Sequence, residues 1–209
     1  MIFPDIELEK KLWRKGIKYV VGIDEAGRGP LAGPVSAGAF VIDEYTLISP
    51  LVRDSKKMTL KQRESTFEFL LENSLAWGVC MVSEKEIDLI GIQDAVKKAM
   101  QGALAQVEKM LGKRAEYLIV DGINVESILG YEMLKIKEGD LLHYSISAAS
   151  ILAKVTRDRY MREMALKYPE YGFEKHVGYG TKMHIEAIKR YGICPIHRRS
   201  FSPIKDLYV

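Results

Sequence analysis

The sequence predicts an α/β protein whose mixed sheet is antiparallel in its first strands and parallel later, with helices flanking the sheet. Three observations support this fold class. Two β-rich runs near the start are joined by a short glycine-dense loop, a strongly periodic helical stretch occupies the middle, and a continuous apolar run follows that helix. Closely joined strands followed by alternating helix and strand are typical of an α/β domain with a mixed sheet.

The first part of the chain predicts three strands and one helix. Residues 19–23 form a short β-rich run that stops at Asp24, and residues 35–42 alternate small and large side chains. Because the connection between these runs is short, we expect the two strands to pair antiparallel. A helix is predicted over residues 60–73, and residues 75–82 return as a third strand.

The second part alternates helix and strand. Apolar residues recur every three or four positions between Ile92 and Leu111, which predicts an amphipathic helix. Residues 117–120 form a continuous apolar run of the kind found in buried parallel strands, and it ends at Asp121. The remaining predicted elements are a weaker strand over 133–137 and helices over about 147–167 and 181–190.

Composition places the chain among ordinary globular proteins. Its 209 residues are 47% hydrophobic and 28% charged, which excludes disordered, collagen-like and low-complexity classes and predicts one domain over 1–209. Cys80 and Cys194 lie far apart and match no metal-ligand spacing, as expected for a reducing compartment. No apolar run approaches the ~18 residues that a membrane span needs. We therefore expect a cytoplasmic monomer without a membrane partner.

Positive charge is concentrated in the last third of the chain. Residues 150–209 contain 12 lysines and arginines against 6 acidic residues, whereas the whole chain has a net charge of only +3. A solvated basic face is one interpretation. Tyrosines such as Tyr168, Tyr179 and Tyr191 lie among the basic residues, however, and this mixture favours nucleic acid through phosphate contacts and stacking. We interpret about 170–209 as a basic, substrate-binding C-terminal segment.

Acidic residues follow two of the predicted strands. Asp24 and Glu25 follow the first strand, and Asp121 follows the run over 117–120. Such residues are often simple turn formers, but the carboxyl ends of strands in an open α/β sheet are also where ligands bind. Adjacent strand residues point to opposite faces, so Glu25 joins Asp24 only if the strand ends or twists there. Clustered carboxylates without a Cys/His set favour Mg²⁺ or Mn²⁺ and phosphoryl-transfer chemistry.

The loop after Glu25 matches no common nucleotide-binding motif. Its glycines, Gly27, Gly29 and Gly33, do not have the GxGxxG spacing, and the chain contains no GxxxxGK[ST] sequence. Dinucleotide and P-loop sites are therefore disfavoured. What these glycines offer is a backbone that a ligand can approach closely.

Six segments together resemble the ribonuclease HII family. The first is GIDEAGRGPLAGP at residues 22–34, and the resemblance extends over nearly the whole chain, from about Tyr19 to Phe201. The other five follow in the family's order: DSKK at 54–57, VDG at 120–122, AASILAKVTRD at 148–158, GYGTK at 178–182 and PIHR at 195–198.

The resemblance implies a ribonuclease H-like fold with a small C-terminal helical segment, and a specific chemistry. The family hydrolyses RNA in RNA–DNA hybrids and cuts 5′ to single ribonucleotides embedded in duplex DNA, as in ribonucleotide excision repair. It implies two Mg²⁺ or Mn²⁺ ions and products with 3′-hydroxyl and 5′-phosphate ends. Its metal-binding carboxylates match Asp24, which would bridge the ions, and Glu25, Asp121 and Asp140. Asp158 also lies in a family motif.

Asp158 has a simpler interpretation, because it lies four residues after Lys154 on a predicted helix and can pair with it there. The resemblance further implies that Gly27, Arg28 and Gly29 contact the ribonucleotide, whose 2′-hydroxyl distinguishes RNA from DNA. It implies that Tyr179 packs on the sugar of the next deoxynucleotide. Further substrate contacts, mostly to phosphates, are expected from Ser55, Lys56, Ser150, Lys154, Thr181 and Lys182.

Two other functions remain as alternatives. One is an actin-like or sugar-kinase-type ATPase, which also has an acidic residue after its first strand but usually a much longer chain. The other is a non-catalytic nucleic-acid-binding module, in which converging carboxylates would repel the ligand. The four histidines lack HxxxH or HExxH spacing, which disfavours zinc. Of these, His184 is a candidate for a phosphate contact or a packing role, and His197 for anchoring the C-terminal segment.

Overall fold

The computed structural model describes residues 3–122, 128 and 130–207. Its described part contains one five-stranded sheet with the spatial order β3-β2-β1-β4-β5. The first three strands pair antiparallel, whereas β1 with β4 and β4 with β5 pair parallel, so the predicted mixed sheet is confirmed. The strands are β1 (Val20–Ala26), β2 (Val35–Val41), β3 (Ala76–Val82), β4 (Tyr117–Asp121) and β5 (Met133–Ile136).

Helices cover both faces of this sheet. Within the described residues they are α1 (Glu7–Arg14), α2 (Leu60–Glu72), α3 (Glu84–Ile90), α4 (Ile92–Leu111), α5 (Gly139–Leu142), α6 (Tyr144–Lys167), α7 (Phe173–His176), α8 (Lys182–Tyr191) and α9 (Ile204–Leu207). The apolar stripe of α4 packs on one face, where Ala99 and Ala103 belong to the same apolar cluster as Val21 and Ala37. Helix α6 packs on the other face. None of these helices is long and apolar enough to cross a membrane.

Helix α6 lies directly on the strands because two glycines leave room for its backbone. A Cβ atom on Gly22 of β1 would lie 2.6 Å from the backbone nitrogen of Ile146. A Cβ on Gly38 of β2 would lie 2.9 Å from the carbonyl carbon of Ala149. Real Cβ atoms do not approach backbone this closely, so both positions require glycine. This close packing fixes Ser150, the next residue of α6, relative to the ends of the strands.

Helix α1 is not predicted by the sequence, and a buried carboxylate attaches it to the core. Its first turn carries Glu7 and Glu9 and its last turn carries Arg14, an arrangement that complements the helix dipole. Glu9 is fully buried and accepts a hydrogen bond of 2.7 Å from the hydroxyl of Ser145. Burial raises the pKa of Glu9, and the hydrogen bonds from Ser145 oppose this shift.

The C-terminal segment packs against α6 and against the glycine loop after β1. Met161 of α6 is in the same apolar cluster as Phe173, Ile188 and Ile196. The backbone N–H of Gly33 donates to the carbonyl of Ile196 at 2.8 Å. The end of the described chain is therefore attached to a loop that follows its first strand.

Candidate active site

A cavity of about 490 Å³ opens at the carboxyl end of β1, where the sequence predicted the site. Asp24 and Glu25 come from β1 and Asp121 from β4, while Ser150 and Lys154 come from α6. The remaining predicted residues that line it are Gly27, Arg28, Gly29, Ser55, Lys56 and Tyr179. The structure thus brings most of the predicted site residues to one place.

Of the carboxylates at this site, Asp24 has the most strongly raised pKa. Its side chain is buried, and one of its oxygens, Oδ1, accepts a 2.7 Å hydrogen bond from the backbone N–H of Glu25. Burial raises the pKa of Asp24 well above its usual value, and the charges of Glu25, Asp121 and Asp140 raise it further. A hydrogen bond from Ser150 acts in the opposite direction. Three neighbouring carboxylates thus disfavour the charged form of Asp24.

Glu25 belongs to β1, which continues to Ala26 rather than stopping at Asp24. Both carboxylates still line the cavity because it opens where the strand ends. The Oε1 atom of Glu25 lies 3.4 Å from the guanidinium of Arg28, which also donates to Gln93 at 2.8 Å. Its Oε2 atom is buried and has no hydrogen-bond partner among the described residues. Burial raises the pKa of Glu25 although Arg28 opposes the shift.

Asp121 and Asp140 are connected through the start of α5. The Oδ1 atom of Asp121 accepts a 2.6 Å hydrogen bond from the backbone N–H of Gly139, the residue before Asp140. Asp140 is buried, and one of its oxygens lies 3.6 Å from the ammonium of Lys56. Burial raises the pKa of Asp140, and Lys56 opposes the shift. Asp140 does not line the cavity itself, but its charge acts on Asp24.

Asp158 is held by two cations. Its Oδ1 atom accepts a 2.8 Å hydrogen bond from Lys154, which is the predicted pair on one helix face. Its Oδ2 atom lies 3.8 Å from the guanidinium of Arg63. Arg63 lines the cavity, although its sequence position does not predict this. An arginine on an amphipathic helix has no sequence signal that distinguishes a site role from solvation.

Thr181 and Lys182 do not line the cavity. The hydroxyl of Thr181 caps α8 by accepting a hydrogen bond from the backbone N–H of His184 at 3.3 Å. Lys182 is exposed, and its ammonium lies 3.9 Å from Glu186. Their predicted contacts with substrate stay predictions.

The acidic side chains at the cavity offer the type of ligand atom that a hard divalent cation prefers. Among the described residues, no three His, Cys, Asp or Glu side chains are already arranged around a metal position. Asp121 already accepts a hydrogen bond from Gly139, and Asp140 is already paired with Lys56. All four predicted ligands nevertheless offer oxygen atoms, which Mg²⁺ and Mn²⁺ prefer. The unpartnered Oε2 of Glu25 and the mutual repulsion at Asp24 are both features that a cation would relieve.

Tyr179 is half-exposed at the cavity, and a chain of hydrogen bonds holds its backbone. The N–H of Cys194 donates to Nδ1 of His197 at 2.9 Å, and the carbonyl of Cys194 lies 3.2 Å from the same nitrogen. The shorter contact assigns the ring N–H of neutral His197 to Nε2. That group faces Nε2 of His184 at 3.0 Å, which leaves Nδ1–H of His184 to donate to the carbonyl of Tyr179 at 2.9 Å. With both histidines neutral, each ring N–H of this chain faces an acceptor. His184 therefore has a packing role, and His197 anchors the C-terminal segment.

The two histidines predict a loss of stability in acid. Burial lowers the pKa of each to about 4, whereas the unfolded value is about 6.5. Protons therefore bind the unfolded chain first, and this contribution to the free energy of unfolding falls as the pH drops from about 6.5 to about 4. We expect this contribution to fall by about 2 kcal/mol or more between pH 7 and pH 5. It is measured by urea denaturation as the difference between the wild type and a variant without the two histidines, because the buried carboxyl groups with raised pKa act in the opposite direction in both proteins.

The prediction is tested with a double variant that combines His184→Gln and His197→Gln. The control is the single variant His143→Gln. The double variant should show a flatter pH dependence than the wild type, whereas His143→Gln, which removes a histidine outside the chain of hydrogen bonds, should keep the wild-type slope. Equal slopes in the wild type and the double variant would contradict the prediction.

The mixed sheet and the carboxylates at the ends of β1 and β4 define a protein of the ribonuclease H-like class. The crystal structure of the ribonuclease H2 from Pyrococcus horikoshii OT3 matches with a TM-score of 0.74 and 33% identity, over 90% of this chain and 96% of that chain. A second crystal structure, of Bst-RNase HIII in complex with Mn²⁺, shares the fold at 17% identity, with a TM-score of 0.67 over 90% and 68% of the two chains.

Sequence comparison identifies the family. The family model described as Ribonuclease HII matches residues 21–204. The ribonuclease HII of Caldicellulosiruptor bescii is 49% identical over 195 residues, which cover 93% of this chain and 92% of that protein. The ribonuclease HII of Acholeplasma laidlawii is 43% identical over 207 residues, covering 99% and 98%. This chain belongs to the ribonuclease HII family, which confirms the resemblance found in its motifs.

Proposed function

We propose that this protein is an endoribonuclease that hydrolyses RNA in RNA–DNA hybrids and cuts 5′ to single ribonucleotides embedded in duplex DNA. The products would carry 3′-hydroxyl and 5′-phosphate ends, and the activity would serve ribonucleotide excision repair. One observation carries the proposal: Asp24, Glu25 and Asp121 line the same cavity as the glycine loop, Lys56 and Tyr179. Membership of a ribonuclease family favours this function over an ATPase or a non-catalytic module.

Two Mg²⁺ or Mn²⁺ ions are part of the proposal, and the residues that would hold them are Asp24, Glu25, Asp121 and Asp140. When bound, such ions supply Lewis-acid stabilisation of the phosphate and a water of lowered pKa. The protein contributes the placement of these oxygens. Asp24 is fixed by the N–H of Glu25, and Asp121 by the N–H of Gly139, so neither side chain needs to be ordered when substrate arrives.

Cations around the rim would bind the substrate phosphates. Lys56 extends from the short 3-10 helix Ser55–Lys57, and its side chain is largely exposed. Partial burial opposes the shift, but the charges of Asp140 and Asp24 raise the pKa of Lys56, so it stays positively charged. Lys154 and Arg63 share Asp158. We propose that Thr181 and Lys182, outside the cavity lining, contact the strand further away, as part of the C-terminal segment 170–209.

Tyr179→Ala is expected to lower cleavage at a single embedded ribonucleotide by about tenfold or more, because stacking on a nucleotide is lost. Binding of Mn²⁺, measured by calorimetry, should change little, since the carboxylates remain. Tyr179→Phe is the matched control, and it should retain most cleavage because the ring is kept. Equal losses of cleavage and of Mn²⁺ affinity in Tyr179→Ala would rule out a role on the sugar.

The function itself is tested with a labelled DNA duplex that contains one ribonucleotide, incubated with Mg²⁺ or Mn²⁺ beside an all-DNA duplex. We expect a single cut 5′ to the ribonucleotide in the first duplex only, and its loss in Asp121→Asn. The mobility of the product ends identifies the bond that breaks. Tight binding without cleavage would favour the binding module, and ATP turnover would favour the ATPase class.

A further inference from the structure

The two largest fully buried side chains of the described structure are both arginines. Arg157 of α6 is 1% exposed and Arg198 of the C-terminal segment is 0% exposed. No carboxylate among the described residues forms an ion pair with either one. Burying a guanidinium without a counter-charge is costly, and burial lowers the pKa of Arg198 to about 9. Core packing alone would be served better by an apolar side chain.

Both guanidiniums donate to backbone carbonyls of one loop. Arg198 donates to Gly27 at 2.6 Å, to Arg28 at 2.8 Å and to Gly33 at 2.9 Å. Arg157 donates to two further carbonyls of the loop, those of Ala32 at 3.1 Å and Pro34 at 2.9 Å. We call this pair the arginine clamp. Every carbonyl that it holds belongs to the segment 27–34, which carries the glycines that line the cavity.

The clamp fixes the direction of two N–H groups. The peptide bonds after Gly27 and Arg28 are trans, so each planar unit points its N–H opposite to its carbonyl. Because the carbonyls of Gly27 and Arg28 point at Arg198, the N–H groups of Arg28 and Gly29 point away from it. Neither N–H donates to any described residue, and both residues line the cavity.

The clamp also strengthens these donors. A cation that hydrogen-bonds to a carbonyl polarises the peptide unit and makes the attached N–H more acidic. The loop and the clamp fit one another closely: Gly27 has φ +92, and a Cβ atom there would lie 2.5 Å from Cδ of Arg157 and 2.9 Å from the carbonyl oxygen of Pro34. The glycine is therefore needed for the loop to reach the arginines.

We propose that Arg198, together with Arg157, is a positioning residue for ribonucleotide selection. It holds the N–H groups of Arg28 and Gly29 as two oriented donors for the ribose 2′-oxygen of the substrate. Neither arginine touches the substrate; each acts through the loop. This proposal rests on the proposed function and adds to it the residues that set its selectivity.

The test compares Arg198→Lys with Arg199→Lys. A lysine keeps the charge at position 198 but cannot donate to three carbonyls in one plane. Arg199 is the next residue and is exposed, so Arg199→Lys makes the same chemical change outside the clamp. Affinity for a duplex with one ribonucleotide and for the matching all-DNA duplex is measured by fluorescence anisotropy in EDTA, where no cleavage occurs. Cleavage is then measured separately in Mg²⁺.

We expect Arg198→Lys to lose most of the preference for the ribonucleotide duplex, by about tenfold, while its affinity for all-DNA duplex stays as in wild type. Its kcat/KM for the ribonucleotide duplex should fall at least as much, and Arg199→Lys, which keeps the charge of the C-terminal segment, should keep the wild-type preference between the two duplexes. A folded Arg198→Lys that keeps the wild-type preference overturns the proposal. So does an equal loss of affinity for both duplexes.

Circular dichroism and the melting temperature show whether the variant is folded. If Arg198→Lys does not fold, Arg157→Lys decides by the same preference ratio, and a preserved ratio there overturns the proposal. A wild-type protein that binds but never cuts the ribonucleotide duplex refutes the proposed function instead. The two failures are therefore distinguishable.

Discussion

Asp24→Asn is expected to lower cleavage by about 10³-fold or more and, at the same time, to stabilise the metal-free protein. The loss of activity follows because Asp24 is the carboxylate on which the charges of Glu25, Asp121 and Asp140 all act, and a neutral amide is a poor ligand for Mg²⁺. The gain in stability follows because the substitution removes a buried charge and its repulsion.

The amide keeps the local geometry. Its oxygen can still accept the hydrogen bond from the N–H of Glu25 that Asp24 accepts at 2.7 Å. Removing repulsion between nearby carboxylates should raise the free energy of unfolding by roughly 1 kcal/mol at pH 7. Mg²⁺ should stabilise the wild type in a concentration-dependent way and should have much less effect on Asp24→Asn.

Glu9→Gln is the matched control, because Glu9 is also a buried carboxylate with a raised pKa but does not line the cavity. It should keep wild-type cleavage. The measurements are cleavage of the ribonucleotide duplex and melting temperature with and without Mg²⁺. An Asp24→Asn protein that melts below wild type in EDTA, or retains a tenth of the activity, would show that the repulsion has been misjudged.

Gly38→Val is expected to cost about 3 kcal/mol or more in the free energy of unfolding. The added Cβ would lie within 2.9 Å of the carbonyl carbon of Ala149 and still closer to its carbonyl oxygen, and this backbone cannot move unless α6 lifts off β2. Because Ser150 and Lys154 lie on the same helix and line the cavity, cleavage should fall as well.

Gly112→Ala separates close packing from backbone strain. Gly112 has φ +64, but a Cβ there would meet nothing within 4 Å, so only the strain of about 1 kcal/mol is expected. Urea denaturation of both variants and of the milder Gly38→Ala gives the comparison. If Gly38→Ala is no less stable than Gly112→Ala, then α6 does not lie on the sheet as closely as described.

Much of the fold was predictable because its signals are local. The apolar period of residues 92–111 and the continuous run over 117–120 each identify an element by themselves, and both are confirmed. Helix α1 was missed because eight residues at the start of the chain carry little periodic signal, and its place depends on Glu9 meeting Ser145. The central position of β1 likewise depends on pairings between distant residues.

The site residues also divide into those that the local sequence predicts and those whose place depends on distant contacts. Asp24 and Asp121 could be placed together from the strands that carry them, whereas Asp140 was found only through the family motif, because its place depends on Gly139 reaching Asp121. Arg157 and Arg198 carry no sequence signal of burial, since arginines are normally solvated. Such residues are recognised only once the carbonyls that they bind are known.

The position of Arg198 near the end of the sequence also determines the order in which parts of the site are synthesised. Arg198 and Gly27 are separated by 171 positions in the chain, so a growing polypeptide presents all four carboxylates long before the residue that orients the loop beside them. Contacts between such distant positions form slowly, since a long loop must close first. The carboxylates of the proposed cation site are therefore synthesised early, and the residue proposed to set the choice of sugar is synthesised late. A chain that ends before Arg198 would contain the four carboxylates but not the residue that orients the loop beside them.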